Sequence, residues 1–272
     1  MVDISRLKAL MADAKSLAAD LGLVVKDLTD RELRKFGMAF ERQFVLPFPK
    51  RQVVDIHLRH QAEALLGAMV AKEQMEAEID GELPASGKIG GPLAIRASWL
   101  GIGDDWEDIA SVYGTATARG QGYWSVGSPQ DWIHSGTLLM GGTDGNPVKI
   151  GENALHVVYG IQSLHPSPKI ESVKFEIDAR ERPILLTYWT QKAPRTLRIK
   201  ELDNAFIWRK DTTVLAKVFI SGAFGDAVTQ AVDYPALVGV SYIKEAQLRV
   251  HDPVTGVGRA LPGTEHNVIL TT

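Results

Sequence analysis

The chain has 272 residues, 45% of them apolar and 23% charged, a net charge of −3 and no cysteine. This is the balance of a globular protein with a sizeable core. It excludes disulfides, thiolate catalysis, zinc–cysteine sites and iron–sulfur clusters, and the absence of a basic segment argues against strong phosphate-driven nucleic-acid binding.

The opening "MVDISRLKALMADAKSLAADLG" mixes acids with bases and has no cleavage site, unlike a secretory signal. No apolar run approaches the roughly 20 residues that span a bilayer, so no transmembrane segment is expected. Ile4, Leu7, Met11, Ala14, Ala18 and Leu21 step by three and four, which places them along one face of a first helix, with Leu10 and Leu17 widening it. Asp3, Arg6, Lys8, Asp13, Lys15 and Asp20 occupy the other face. Such a stripe packs against protein, either another subunit or the rest of this chain. A second helix starts at "TDRE", where Thr29 and Glu32 have the spacing of a capping box. Leu33, Phe36 and Phe40 then share a face, and Pro47 and Pro49 end the helix.

The pattern predicts a third, long helix over 51–79. Val54, Leu58, Ala62, Leu65 and Met69 form a stripe that Leu66, Val70 and Ala71 widen, so its middle is expected to be buried on more than one side. "LPASGKIGGP", residues 83–92, reads as a hinge. A short helix is expected at "GDDWEDIASVYG", 103–114, capped by Asp104 or Asp105, with Trp106, Ile109 and Tyr113 on one face.

Beyond residue 92 the period falls to two. "TDGNP" (143–147) is a tight turn, and "ALHVVYGIQ" (154–162) a strand. "SVKFEIDA" alternates Val173, Phe175 and Ile177 with Lys174, Glu176 and Asp178, which predicts a strand with one wet face. "ARERP" turns the chain into "ILLTYWTQ", and "RTLRIKEL", "AFIWRK", "TTVLAKVFIS", "ALVGVSYIK", "AQLRVHDP" and "NVILTT" follow. Pro166, Pro168 and Pro183 fall at strand entries. Eight to ten short strands at regular spacing point to a sandwich, jelly roll or barrel. The expected class is therefore α+β: a helical region over 1–82, a hinge at 83–92 and an antiparallel, jelly-roll-like β-sandwich over 93–272.

Candidate chemistry is sparse. His57, His60 and Glu63 lie three apart on one helix, a spacing that helical bundles use for metal. A matching second His-bearing helix is missing, and the structural alternative is a half-exposed helix edge with imidazoles bonded to neighbours. The four carboxylates of "GDDWED" sit in a first helical turn, where the helix dipole favours them without any function. "WSVGS" and "HSG" are loose echoes of a serine-nucleophile turn, but no G-x-S-x-G occurs. The phosphate-loop and dinucleotide patterns are absent too. The aromatics Tyr123, Trp124 and Trp132 in "GYWSVGSPQDW" suit core or intersubunit packing better than sugar stacking. "KAPRTLRIK" and "WRK" read as the wet face of a strand. No catalytic, metal or cofactor-binding residue is assigned, and no cofactor is expected.

A helical N-terminal arm, then a strand-rich domain carrying "IESVKFEID", "TTVLAKVFIS" and "YPALVGVSYIKEAQLRVHD", resembles the jelly-roll coat proteins of icosahedral virions over about residues 160–272. That resemblance implies a self-assembling shell or phage-appendage subunit without an active site. Its partners would be copies of itself and other virion proteins, and its location a virion or host cytoplasm. Many such coats carry a basic N-terminal tail. This N-terminus is nearly neutral, so contact with a genome would be indirect. Two other expectations stand beside this one: a carbohydrate- or partner-binding module using the Tyr123–Trp132 loop, and a metal-dependent hydrolase drawing on His57, His60, Asp104, Asp105, His134 and His156.

Overall fold

The computed structural model describes residues 3–42, 51–82, 94–100, 132–134, 142–143, 146–163, 170–185, 198–220 and 236–244. The hinge at 83–92, the helix at 103–114, Pro166, Pro168 and the strands expected after residue 245 lie outside them.

Helix α1 (Ile4–Asp20) starts at Asp3, whose carboxylate accepts bonds from the Ser5 and Arg6 N–H groups. Leu7, Ala14 and Ala18 are buried, and Ile4, Leu10, Met11 and Leu17 pack against the same core. The last member of the stripe, Leu21, is instead 58% exposed. It is the helix's C-cap, and the chain turns away at Gly22, φ 63°. Helix α2 (Asp30–Arg42) opens with the expected capping box. Glu32 N–H donates to Thr29 Oγ1 at 3.3 Å, and Thr29 N–H donates to Glu32 Oε2 at 2.8 Å.

The third helix differs from expectation at two places. It is two helices, α3 (Arg51–Arg59) and α4 (Gln61–Met75), that meet at a bend on His60, φ −97° and ψ 27°. The hydrogen bonds run on through the bend, from His60 N–H to Ile56 O and from Ala64 N–H to His60 O. The helix also ends four residues early. Glu76 takes a left-handed conformation, Lys244 Nζ donates to Met75 O, and Glu78–Glu82 forms strand β1. Acids at a helix end gave no local sign of this strand. It exists because β2 (Ala94–Leu100) lies parallel to it, with Glu78 opposite Ala94.

Nine further strands follow: β3 (Trp132–His134), β4 (Gly142–Thr143), β5 (Asn146–Lys149), β6 (Ala154–Ser163), β7 (Ile170–Ile177), β8 (Arg180–Leu185), β9 (Arg198–Trp208), β10 (Thr213–Ile220) and β11 (Ala236–Lys244). One sheet has the order β1-β2-β11-β6-β9. The other has the order β4-β5-β10-β7-β8, with β3 also paired to β10. Every ladder except β1–β2 is antiparallel. The chain is thus α+β, with a helical N-terminal region and strand-rich, largely antiparallel sheets.

Three local expectations need correction. The two strands expected at 195–202 and 205–210 are one strand, β9, with an irregularity in its ladder to β6. The turn before β8 is Asp178–Ala179, both at positive φ (49° and 62°), so that Arg180 already begins the strand. This mirror-image geometry matches the twist of a hairpin. Pro183 therefore lies inside β8 and not at its entry, which is tolerated because β8 is outermost in its sheet among the described residues.

Strand β6 is buried from Ala154 to Ile161. Leu155, Val157 and Tyr159 share a core with the helices, together with Val238, Val240 and Tyr242 of β11. Toward the second sheet, Phe175 of β7 meets Phe206 and Trp208 of β9 at ring separations of 5.8 and 5.5 Å. Helix α4 lies close on the first sheet: a Cβ at Gly67 would stand 2.3 Å from Val157 Cγ2. Residues 64 to 71 of α4 are all buried, as an all-round apolar helix requires. Between the two partners left open for the apolar stripes, another subunit or this chain, the stripes of α1 and α4 pack within this chain.

Candidate functional site

The α3–α4 bend meets an irregularity of β6. The register of β6 slips near Gly160 against both neighbours, between Val238 and Gly239 on β11 and between Phe206 and Glu201 on β9. Such slips re-aim the side chains beside them. Here the neighbouring side chain is Tyr159, fully buried under the bend. Its hydroxyl is bonded to His57 Nδ1, and the His57 ring stands edge-on to it at 5.3 Å. His60 stacks flat on the same tyrosine, at 4.7 Å and 7°.

His60 is bonded through both ring nitrogens. Nδ1 lies 3.1 Å from Glu63 Oε1 and Nε2 lies 2.9 Å from Glu201 Oε1. Arg59 grips the same Glu201 with two bonds, Nε to Oε1 at 3.0 Å and Nη2 to Oε2 at 2.6 Å. An ionised carboxylate can only accept, so two carboxylate partners require both imidazole nitrogens to carry hydrogen. His60 in this geometry is an imidazolium. Burial alone would lower its pKa, but the bonds and charges of Glu63 and Glu201 outweigh it and hold the pKa above the ordinary value. Glu201 is held low chiefly by Arg59 and then by His60. Glu63 is lowered as well: burial opposes this, and His60 overcomes it. Burial raises Tyr159 well above the usual phenol value, so it stays neutral.

A second paired carboxylate lies nearer the capping box. Glu32 is almost fully buried, accepts from Ile79 N–H at 3.0 Å and lies 2.7 Å from Lys72 Nζ. Burial raises its pKa, and Lys72 with the Thr29 and Ile79 amides more than reverses this. One side chain thus joins the start of α2 to α4 and β1.

The other candidates do not converge on the bend. His156 is buried and bonded to Ser241 Oγ at 2.7 Å. It falls between Leu155 and Val157, which face the helices, and so belongs to the opposite face of β6. His134 and Trp132 are in β3, in register with Lys217 and Phe219 of β10. Asp104, Asp105, Tyr123 and Trp124 lie outside the described residues. Among the described residues no group of three or more His, Asp or Glu is arranged to hold a metal ion. The imidazole edge expected at His57 and His60 is buried and not half-exposed, at 1% and 8%. The sequence reading missed Glu201, Tyr159 and Arg59 as partners. The one available signal was a tyrosine amid the apolar run of "ALHVVYGIQ".

An open groove of about 1310 Å³ follows β8 and β9, each an outermost strand of its sheet among the described residues, with Leu21 and Leu23 on one side and Arg182, Lys200, Phe206 and Trp208 in its wall. His57, Arg59, His60, Glu63, Tyr159 and Glu201 do not line it, although Lys200 and Leu202, the chain neighbours of Glu201, do. No protein-family model matches the sequence, and no curated protein and no solved structure matches it either. Among the described residues no helix is long and apolar enough to cross a membrane.

Proposed function

We propose that the protein is a self-associating structural subunit built on a jelly-roll sandwich, of the kind that forms virion shells or appendages. The observation that carries this reading is the strand order. If β2 and β5–β11 are counted one to eight, the sheets run 1-8-3-6 and 2-7-4-5. The pairs 1–8, 2–7, 3–6 and 4–5 are all antiparallel. This order is the one expected of a long hairpin rolled on itself into an eight-stranded jelly roll, and it supports that reading. The Phe175–Phe206–Trp208 cluster supports two sheets facing each other.

A jelly roll also serves lectins and small-molecule enzymes, so the fold alone does not select a function. The assembly reading draws on surface. Leu21, Val24 and Met38 are large apolar side chains left 58%, 71% and 49% exposed, and β8 and β9, outermost in their sheets among the described residues, flank Leu21. The stripes of α1 and α4 are already spent inside the chain. Contact between copies would therefore run through the α1–α2 turn and the sheet edges, not through an exchanged helical arm. Size-exclusion chromatography with light scattering, followed by electron microscopy of the purified protein, tests this. A large symmetric particle is expected, and a monomer at every concentration refutes it.

A further inference from the structure

His60 sits where three elements meet: the α3–α4 bend, β6 beneath it through Tyr159, and β9 beside it through Glu201. Its two bonds are not interchangeable parts of a generic surface network. Glu63 belongs to α4, and Glu201 belongs to β9, 141 residues on from His60. The imidazolium is therefore a bridge between the helical layer and the edge strand, and the bridge exists only while both nitrogens donate. A neutral ring has one donor and one lone pair. The lone pair would then face a carboxylate, and Glu63 and Glu201 would repel each other across an uncharged ring.

We propose that His60 is a proton-operated latch: protonated, it ties the α3–α4 bend to β9 through Glu63 and Glu201, and on losing its proton it loosens the hold of α3 on β9, which then rests on Arg59 alone among the Glu201 partners. Among the described residues, Arg59 is a second tie to Glu201, and no other cation is bonded to Glu63 in place of His60. On α3 the charged and titratable groups around His60 are His57 and Arg59, the latter also under the charge of Asp55, on α4 Glu63, on β6 Tyr159 with Tyr242 of β11 near it, and on β9 Glu201. Arg6 of α1 is bonded to Gln61 Oε1 at 3.2 Å. Tyr159 stays neutral because burial raises it. Arg59 keeps its grip on Glu201 at every relevant pH, but its side chain is 56% exposed and salt weakens it. Histidines are the side chains that change charge near neutrality, and of the two here His60 is the one bonded to carboxylates through both ring nitrogens; His60→Gln separates its response from any that His57 contributes.

The pKa of His60 is raised in the folded chain, so its contribution is complete below the ordinary histidine value and lost as pH rises through the raised one. Glu63 and Glu201 are lowered, so their side of the latch fails only in acid. The latch is closed from mildly acidic to near-neutral pH and opens in alkali.

Hydrogen exchange of the full chain tests this at about pH 6 and about pH 8.5, with amide rates normalised to the chemical rate and to α1. Loss of one bond to a charged group corresponds to roughly a tenfold change in an opening equilibrium, so α3 should lose about that much protection at the higher pH. In His60→Gln, α3 should be weakly protected at both. Unchanged α3 protection in the wild type overturns the proposal, as does the same pH response in His60→Gln. If that variant does not fold, the NMR titration of His60 in the wild type and in Glu201→Gln decides. A wild-type midpoint above the ordinary histidine value that falls in Glu201→Gln supports the latch. A wild-type midpoint at or below the ordinary value, or one that Glu201→Gln leaves in place, overturns it.

Discussion

Gly67→Ala probes the contact that holds the helical layer to the sheet. Gly67 is in the middle of α4, where alanine should favour the helix by about 1 kcal/mol. The added methyl would stand 2.3 Å from Val157 Cγ2 and 3.0 Å from Tyr242 Cε2. Val157 is β-branched and stiff about χ1, it is fully buried in a strand paired on both sides, and it cannot swing away without opening a gap elsewhere. The helix must rise by about 1 Å to restore ordinary contact. That lift strains the Tyr242 hydroxyl bond to Ala64 O, now 2.6 Å. Overpacking of this kind costs about 1–3 kcal/mol and the weakened bond about 1, against the helix-propensity gain. The expected net loss is about 2 kcal/mol, roughly 4–8 °C in Tm for a domain of this size, read by thermal melting and urea titration. Val157→Ala in the same chain should recover part of the loss, a coupling that two distant sites would not show. A Tm that rises by the propensity gain alone would mean α4 is not seated on β6 and β11, and the shared core would be refuted.

Two further outcomes can be read from the same melts. Glu32→Gln leaves Lys72 without a counter-charge beside a buried site and should cost about 3 kcal/mol. Because the pKa of Glu32 is lowered by folding, its contribution is complete above the ordinary carboxylate value and disappears as pH falls through the lowered one; a wild type and variant whose stabilities differ equally at neutral pH and in strong acid would contradict this. Ala179→Gly should stabilise by about 1 kcal/mol, since Ala179 holds φ 62° and glycine adopts that geometry without steric cost. A loss of stability there would place the β7–β8 turn elsewhere.

Features governed by neighbours three or four residues apart were open to direct reading. The Thr29–Glu32 capping box, the alternation of Val173 and Phe175 with Lys174 and Glu176, and the all-round burial of α4 are of this kind, because helix and strand periods fix which side chains share a face. What lies far apart in the chain was decided only by packing. Neither Gly nor Pro marks the bend at His60, which sits where Tyr159 stacks and Glu201 bonds. Glu78–Glu82 becomes a strand because β2 offers it a backbone ladder, against its look of a helix end. The pairing of His60 with Glu201 spans 141 residues, and no local period can encode a partner at that range. The spacing of His57, His60 and Glu63 told that imidazoles and an acid shared a helix face. Whether that face held a metal or an ion pair depended on what the sheet placed beneath it.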